Sequence, residues 1–449
     1  LSSALDRLGI PTSADDFLMS ATIYALSSGA GRAGVAVVRV SGPRAGDVLE
    51  ELSGDALPVP RMLRLCRLRM PNTEEIIDEG LSVWFPAPRS FTGEDIVEFH
   101  IHGGAAVVAS VLRAIGECRG TRLAEPGEFT RRSLMNNKLD LVQTEGLSDL
   151  INAETEKQRS LAISSVSGEL SFFVKTINRE ISMVLANIEA LIDFTDEDLP
   201  KNILNKTIEQ NKNIIKRIEL EIRNSKISKP IRDGFVVSVV GKPNTGKSSF
   251  INFISKKDVS IVTNIPGTTT DTISSIIDIG GYKFTFIDTA GIRKHRNKIE
   301  EIGIKKAKNA ILQSDLNLVF LERKEINKYK EVRKKIFIRS KLDKKRFKIK
   351  EKNIINISSV TGEGISSLLK TVKRKLIKTQ KKQPILSRER HISIMSNILL
   401  ELKSIKKNES LDIQAFKYRE ALRLSLEINQ KFDIEDILDI IFKDFCIGK

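Results

Sequence analysis

The spacing of apolar positions changes along the chain and separates segments of different structure. In residues 21–135, short apolar runs typical of strands are interspersed with longer runs at helical spacing. The run from Val35 to Val40 ends at Ser41-Gly42-Pro43, as a strand ends at a turn. A second run, Ile96 to His102, precedes a helical pattern from Ala105 to Ile115. The pattern predicts a mixed α/β segment.

Two further segments have helical spacing, and a strand-rich segment lies between them. Residues 138–230 and the chain from about Arg388 onward are predicted to be helical. The first segment has helical spacing at Ile177, Ile181, Val184, Ile188 and Leu191, and the second at Ile434, Ile437, Leu438 and Ile441. Residues 235–375 alternate strands and helices as parallel sheets do. The fold class is therefore multidomain α/β: an α/β head, a helical domain split in sequence, and an inserted α/β domain. We expect an extension that is flexible or non-native over 1–18, the head over 19–137, the helical domain over 138–231 and 377–449, and the inserted domain over 232–376.

Composition excludes several classes of protein. Of the 449 residues, 41% are hydrophobic, which is enough for packed cores. Cys66, Cys118 and Cys446 are far apart and form no CxxC pair, so a disulfide scaffold and a zinc finger are excluded and a reducing compartment is indicated. No apolar run approaches the roughly 18 residues of a membrane span, and no secretory leader is evident. We therefore expect a cytoplasmic protein without a membrane partner.

The positive charge is unevenly distributed. Residues 1–137 hold 14 Arg, no Lys and 17 acidic residues, a net charge of −3, whereas the remainder holds 59 basic and 40 acidic residues, a net charge of +19. The basic part is compatible with nucleic-acid binding. It is equally compatible with a compositional bias that enriched Lys, Ile and Asn together. Net charge does not distinguish the two, because it does not say where charges cluster.

A phosphate-binding motif lies in the inserted segment. Gly241 to Ser248 matches GxxxxGK[ST], follows the apolar run Phe235 to Val240 and precedes a helical stretch. In this motif the backbone N–H groups surround the β-phosphate, Lys247 brings a positive charge to the β- and γ-phosphates, and the Ser248 hydroxyl is a ligand for Mg²⁺. The motif predicts a nucleoside triphosphate site.

Four more elements follow in the order found in guanine-nucleotide-binding domains. Gly267-Thr268-Thr269 offers a threonine to Mg²⁺, and Asp288-Thr289-Ala290-Gly291 places a carboxylate at a strand end, where it can hold Mg²⁺ through water. Ser340-Lys341-Leu342-Asp343 offers a carboxylate for guanine, and Ser358-Ser359-Val360 is a final loop. The guanine motif usually has Asn where this chain has Ser340, so we expect weaker affinity with selectivity retained by Asp343. The residues expected to bind GTP are Asn244, Thr245, Gly246, Lys247, Ser248, Ser249, Thr263, Asn264, Ile265, Pro266, Gly267, Thr268, Thr269, Asp288, Thr289, Ala290, Gly291, Ser340, Lys341, Asp343, Ser358, Ser359 and Val360, with Ser248 and Thr269 as Mg²⁺ ligands.

Several motifs outside this domain carry a family resemblance. The chain ends Phe445-Cys446-Ile447-Gly448-Lys449, and four other stretches accompany that ending: Val35 to Gly42, Glu98 to Gly104, Glu125 to Thr130 and Asn137 to Leu141. Together with the inserted nucleotide-binding domain, they make residues 20–449 closely resemble the MnmE (TrmE) family of tRNA-modification GTPases.

The resemblance implies a fold and an activity. It implies a folate-binding head that dimerises, a helical domain made of two chain segments, and an inserted Ras-like P-loop GTPase domain. With the FAD-dependent partner MnmG (GidA), the family uses a 5-formyltetrahydrofolate-type carrier to add an aminomethyl-type group to C5 of the wobble uridine of certain tRNAs. A homodimer, and a heterotetramer with the partner, are implied. The positions that match the family's folate contacts are Arg39, Glu98, Lys138 and Lys449.

The resemblance also assigns residues to hydrolysis and to a monovalent cation. Glu300 matches the water-orienting acid, and Cys446 is a candidate catalytic thiol near Lys449, although a small buried residue would also fit that position. K⁺ would be held by Asn244 and by carbonyl groups of Thr263, Ile265 and Thr268. Thr270 stands where the family usually has Arg, which affects how that loop orders.

Two other functions compete with this interpretation. A ribosome-assembly or RNA-binding regulatory GTPase would have a similar P-loop domain, but no KH signature is present. A folate-dependent aminomethyltransferase unrelated to GTP would not need the motifs at 241–291. Folate binding separates the expected function from the first alternative, and GTP hydrolysis separates it from the second.

Overall fold

The computed structural model describes residues 21–193, 202–256, 274–288, 311–321, 326–343, 353–377, 383–429 and 448. They form two compact units. Of the described residues, the first unit contains those up to Ser148 together with Asn429 and Gly448, and the second contains those from Asp149 to Ile428. In these ranges no helix combines the length and the apolar composition that crossing a bilayer requires.

The first unit is built on a six-stranded sheet in the order β3-β4-β5-β2-β1-β6. All neighbouring strands are antiparallel except β1 and β6, which are parallel. Val38 and Val40 of β2 point into a core that the first two helices cover. The elements are β1 (Thr22–Leu26), β2 (Ala33–Ser41), α1 (Ala45–Ser53), β3 (Arg64–Arg69), β4 (Ile76–Phe85), β5 (Ile96–Gly103), α2 (Ala105–Glu117), β6 (Thr121–Leu123) and α3 (Glu128–Met135).

The strands and the helix expected in this unit are present as β2, β5 and α2. The turn expected after Val40 begins at Gly42, whose φ is +135°. A Cβ atom there would lie 2.7 Å from the Thr22 Cα atom, so only glycine lets β2 end this close to β1.

The helical segment of the chain forms α4 (Leu141–Ile151), α5 (Glu156–Val166), α6 (Glu169–Asp193), α7 (Ile203–Asn224) and α8 (Ser228–Asp233). The face expected from the spacing is correct for four positions of α6, because Ile177, Ile181, Val184 and Ile188 are fully buried. The fifth position, Leu191, is half-buried.

The inserted segment forms a second six-stranded sheet in the order β12-β11-β10-β7-β9-β8. It is parallel except for the antiparallel hairpin of β8 and β9. The elements are β7 (Phe235–Gly241), α9 (Lys247–Lys256), β8 (Ser274–Asp278), β9 (Lys283–Asp288), β10 (Leu316–Phe320), β11 (Lys335–Arg339), β12 (Ile354–Asn356) and α10 (Ile365–Leu376). In the described part of the β10–β11 connection, only a single 3₁₀ turn is present, Ile326–Tyr329.

The chain then returns to helices, α11 (Glu389–Ser404) and α12 (Leu411–Leu426). The helical pattern expected at Ile434, Ile437, Leu438 and Ile441 lies outside the described residues. Leu161 of α5 and Ile231 of α8 belong to the same buried cluster as Val237 and Phe284 of the sheet. The helical segment and the inserted sheet therefore share one apolar core.

Candidate functional site

The phosphate-binding loop joins the central strand β7 to helix α9. Gly246 has a φ of +92°, and Asn244 has a φ of +62°, so the loop turns through left-handed conformations before the helix begins. A Cβ atom on Gly241 would lie 2.5 Å from the Phe320 carbonyl oxygen of the neighbouring strand. The loop lies at the carboxyl end of the parallel strands, where open α/β sheets bind ligands.

Lys247 is held inside this loop. Its side chain is buried, and Nζ donates a hydrogen bond to the Lys242 carbonyl oxygen at a distance of 2.7 Å. The ammonium group therefore lies against the loop backbone at the start of α9, where the helix dipole also favours an anion.

Ser248 and Asp288 meet beside the loop. Ser248 Oγ donates to Asp288 Oδ2 at 3.0 Å, and Asp288 is the last residue of β9, 1% exposed. A hydroxyl and a carboxylate oxygen are ligands that Mg²⁺ prefers. The two described residues expected around the metal thus fit a magnesium ion.

The segment after β11 lies against the phosphate-binding loop. Ser340 Oγ donates to the Thr245 carbonyl oxygen, and Lys341 Nζ donates to the Asn244 carbonyl oxygen at 2.9 Å. Asp343 Oδ1 accepts a 2.7 Å hydrogen bond from Ser358 Oγ, which brings together two of the expected guanine-binding segments.

The last of these segments has an unused polar group. The Ser359 hydroxyl oxygen is buried and has no hydrogen-bond partner among the described residues. Val360 is 80% exposed.

Several residues of the expected sites lie outside the described part of the chain. Residues that lie outside the described ranges are Thr263, Asn264, Ile265, Pro266, Gly267, Thr268, Thr269, Thr289, Ala290, Gly291, Glu300, Cys446 and Lys449. Their assignments stay predictions from the sequence.

A second cluster lies on the sheet of the first unit. Arg39 of β2 and Glu98 of β5 are opposite one another in the register, and their side chains form an ion pair of 2.7 Å. The Arg39 guanidinium also lies over two aromatic rings, 5.6 Å from the centre of Phe91 and 5.7 Å from that of Phe129. The pair is about one-fifth exposed, so it is oriented by protein yet accessible to a ligand.

Another expected folate contact, Lys138, and the tail residue Gly448 are described in the same unit. Lys138 Nζ donates to the Pro88 carbonyl oxygen at 2.9 Å, in the loop that carries Phe91. At the end of the chain, the Gly448 carbonyl oxygen accepts a 2.6 Å hydrogen bond from Ser27 Oγ, just after the end of β1. Ala25 of β1 pairs with Arg39, so the described tail residue contacts the chain two residues beyond the register partner of Arg39.

Below this cluster is a buried ionic network that the sequence analysis missed. Arg132 is fully buried and contacts Glu94 at 3.1 Å and Glu128 at 2.9 Å, and Arg122 forms a second pair with Glu128. Burial raises the pKa of Glu128, but hydrogen bonds from Arg122, the Glu125 backbone and Arg132 outweigh it and leave the pKa below its ordinary 4.5. Glu94 also accepts from Ser41 Oγ, so the network holds the end of β2.

The two described cysteines are buried in the first unit. Burial raises the pKa of Cys66, and with nearby acidic groups it raises the pKa of Cys118 to about 12. Both are therefore neutral thiols at physiological pH. Cys446, the candidate catalytic thiol, lies outside the described residues.

The aromatic partners of Arg39 are the functional side chains that sequence reasoning overlooked. Phe129 lies within the recognised stretch Glu125 to Thr130, which was a usable signal. Phe91 lies in a loop without a motif, so only the structure identifies it.

Comparison with known proteins adds family information to this geometry. The profile of the family described as GTP-binding protein TrmE N-terminus matches residues 22–138, and that of the MnmE helical domain matches residues 141–446. The tRNA modification GTPase MnmE of Parvibaculum lavamentivorans is 39% identical over 438 residues, covering 95% of this chain and 100% of that protein. The human mitochondrial 5-taurinomethyluridine-[tRNA] synthase subunit GTPB3 is 37% identical over 459 residues, covering 96% and 93% of the two chains.

Solved structures resemble one part of the chain. The G domain of the Thermotoga maritima FeoB iron transporter has a TM-score of 0.25 and 23% identity, covering 31% of this chain and 98% of that one. Era in complex with MgGDPNP and a segment of 16S ribosomal RNA has a TM-score of 0.26 and 24% identity, covering 33% and 59%.

Proposed function

The chain belongs to the MnmE family of tRNA modification GTPases, and from this premise we propose that it works with an FAD-dependent partner of the MnmG type. In that reaction it would supply a one-carbon unit from a 5-formyltetrahydrofolate-type carrier. The product would carry an aminomethyl-type group at C5 of the tRNA wobble uridine. GTP hydrolysis in tRNA modification follows from the family itself.

The folate part of the proposal rests on one observation: Arg39 pairs with Glu98, and its guanidinium lies over two aromatic rings. A guanidinium suits the carboxylates of a folate's glutamate tail, and a carboxylate suits the amino-pyrimidine edge of the pterin. The aromatic rings keep the guanidinium oriented, and the 18% exposure of the Glu98 side chain leaves it open to a ligand. Lys138 and Lys449 would add positive charge.

The nucleotide part of the proposal is supported by the described residues Lys247, Asp288 and Asp343, which lie at or just after the ends of β7, β9 and β11. The remaining assignments come from the sequence. Lys247 would neutralise phosphate charge, Asp343 would take the N1–H and N2–H₂ groups of guanine, and Glu300 would orient the attacking water. Mg²⁺ held by Ser248 and Thr269, and by Asp288 through water, would neutralise charge on the phosphates when bound. K⁺ held by Asn244 and carbonyls of Thr263, Ile265 and Thr268 would supply the charge that other P-loop enzymes take from arginine.

An exposed apolar row supports a homodimer through the head. Leu65 of the edge strand β3 is 61% exposed, and its register partner Leu81 is 39% exposed. The row continues to His100 on the face of β5 that carries Glu98. A second copy covering this row would bury apolar surface beside the folate site. We propose a heterotetramer of this dimer with two partner subunits, acting in the cytoplasm on tRNA.

The test is mass analysis of wobble uridine in a bacterial strain that lacks its own family member and carries this chain. We expect the C5 modification to be restored by the unaltered chain and lost in Arg39→Ala and in Asp288→Asn. Arg159→Ala, in an exposed ion pair of α5 away from both sites and from the proposed dimer surface, is the control and should restore it. Unmodified uridine with the intact, GTP-hydrolysing chain would overturn the proposed reaction. A chain that acts only as a ribosome-assembly GTPase would leave the wobble uridine unmodified.

A further inference from the structure

Ser340 has a different hydrogen-bonding capacity from the asparagine usual at its position. It follows β11, it is 8% exposed, and its hydroxyl donates to the Thr245 carbonyl oxygen of the phosphate-binding loop. The fit is close, since a Cβ atom on Gly246 would lie 2.6 Å from Ser340 Oγ. Ser340 therefore supports the loop at the residue that precedes Gly246 and Lys247.

A hydroxyl group has one proton to donate. Because Ser340 gives that proton to Thr245, it has none for a bound base. Asparagine has two amide protons on a side chain that is one atom longer, so it can support the loop and donate to a base at the same time. Lys341 does not replace this function, because its ammonium group is extended along the loop to the Asn244 carbonyl oxygen, 2.9 Å away.

Guanine can be recognised at its N1–H and N2–H₂ donors or at its O6 and N7 acceptors. The donor edge suits Asp343, whose carboxylate is oriented by the 2.7 Å hydrogen bond from Ser358. Ser359, in the same segment as Ser358, has a buried hydroxyl without a hydrogen-bond partner among the described residues. To donate a hydrogen bond to N7, the Ser340 hydroxyl would have to break its hydrogen bond with the Thr245 carbonyl group. Thr245 is only 4% exposed, so that carbonyl group would then lack a partner.

We propose that Ser340 is a positioning residue that fixes the phosphate-binding loop through Thr245, and that this chain selects guanine without using N7. The ligand class is thus wider than guanine nucleotides alone and includes those altered at position 7. The inference rests on the proposed guanine-nucleotide site and concerns only how that site reads the base.

The experiment compares the dissociation constants of GDP and 7-deaza-GDP, in which a C–H group replaces N7, for the full-length chain by calorimetry. We expect the unaltered chain to bind the two within about twofold of each other. Ser340→Asn should bind GDP about tenfold more tightly than 7-deaza-GDP, since one hydrogen bond to N7 corresponds to about that factor. Ser340→Ala should weaken both nucleotides by the same factor, because it removes loop support and leaves base reading unchanged.

Ser255→Ala is the matched control, since Ser255 Oγ donates to the Ile251 carbonyl oxygen of α9 outside the site. It should leave both dissociation constants unchanged. A preference of tenfold or more for GDP in the unaltered chain would overturn the inference, and so would a Ser340→Ala variant that changes the ratio of the two constants. Absence of GDP binding would instead refute the proposed nucleotide site itself.

Discussion

Lys283 and Glu154 form an ion pair that joins the inserted sheet to the helical segment. Lys283 begins β9, Glu154 lies just before α5, and their side chains are 23% and 15% exposed. Beside the pair, the Lys157 backbone N–H donates to the Gly281 carbonyl oxygen at 3.2 Å. The β8–β9 hairpin, whose second strand ends at Asp288, is thus fastened to a helix.

We predict that Lys283→Met loosens this hairpin. Removing one partner of a partly buried pair leaves Glu154 poorly solvated and should cost about 1–2 kcal/mol, equivalent to roughly five- to thirty-fold faster exchange of the hairpin amides. Hydrogen exchange followed by mass spectrometry of peptides covering residues 274–288 is the measurement. Arg159→Met, in the exposed Glu156–Arg159 pair of α5, is the control and should leave the exchange unchanged. Equal protection in both variants would show that the pair does not hold the hairpin.

We predict that GTP turnover is faster in K⁺ than in Na⁺ at equal ionic strength, by about two orders of magnitude if the cation stabilises charge as a single preorganised group does. Asn244→Ala should remove most of this difference. The Asn244 carbonyl oxygen already accepts from Lys341, so the loop backbone has an anchor that does not depend on the mutated side chain. Steady-state phosphate release in the two salts is the measurement. Identical rates for the unaltered chain would rule out the cation site.

We predict that Arg39→Ala and Glu98→Gln each weaken binding of 5-formyltetrahydrofolate by at least about tenfold. Each removes one charge-assisted contact, which is equivalent to about 1.5–3 kcal/mol. Calorimetric titration provides the dissociation constants. Arg159→Ala should bind the folate normally, because Arg159 belongs to an exposed pair with Glu156 on α5. Unchanged affinity in both site variants would refute the folate assignment.

We predict that Gly448→Ala displaces the end of the chain from the head. Gly448 has a φ of +103°, and a Cβ atom there would lie 2.1 Å from the Leu26 carbonyl oxygen, so alanine cannot occupy the same position. If Lys449 contacts the folate, the variant should bind 5-formyltetrahydrofolate about tenfold more weakly, as expected for the loss of one charged hydrogen bond. The measurement is the same titration, with Gly29→Ala, where space is open, as the control. Normal affinity in Gly448→Ala would separate the tail from the site.

We predict that Glu128 makes the stability of the chain depend on pH. Its pKa is lower in the folded state than its ordinary 4.5, so its stabilising contribution is complete above that value and is lost as the pH falls through the folded pKa. Glu128→Gln should reduce the free energy of unfolding by about 2–3 kcal/mol at pH 7, because it weakens the pairing of buried Arg132. Urea unfolding at pH 7 and near pH 3 is the measurement.

The difference between the two proteins should shrink at the lower pH, where Glu128 is itself becoming protonated. Glu156→Gln is a suitable control, because Glu156 also has a lowered pKa but is fully exposed beside Arg159. A Glu128→Gln variant with the same pH profile as the unaltered chain would show that Glu128 does not carry the dependence.

The sequence by itself determined the local features of this protein. The phosphate-binding loop could be predicted from the sequence, as could the strand before it and the helix after it. These elements occupy consecutive residues, so the pattern of glycines and apolar positions identifies them without knowledge of the fold. The buried face of α6 could also be predicted, because the helical spacing of apolar residues determines which face is buried. Charged and hydroxyl-bearing residues in these motifs indicated which positions could bind phosphate, a metal ion or a folate.

The tertiary structure decided which of these groups meet and what each donor is used for. Arg39 and Glu98 are 59 positions apart, Thr245 and Ser340 are 95 apart, and Ser27 and Gly448 are 421 apart. Such pairs depend on sheet register and on the packing of distant segments, which no local spacing specifies. The substitution at Ser340 was visible in the sequence as a departure from a motif. That its only proton supports the loop was not visible, because a hydrogen bond is set by the position of its acceptor, and the acceptor lies on another strand's loop.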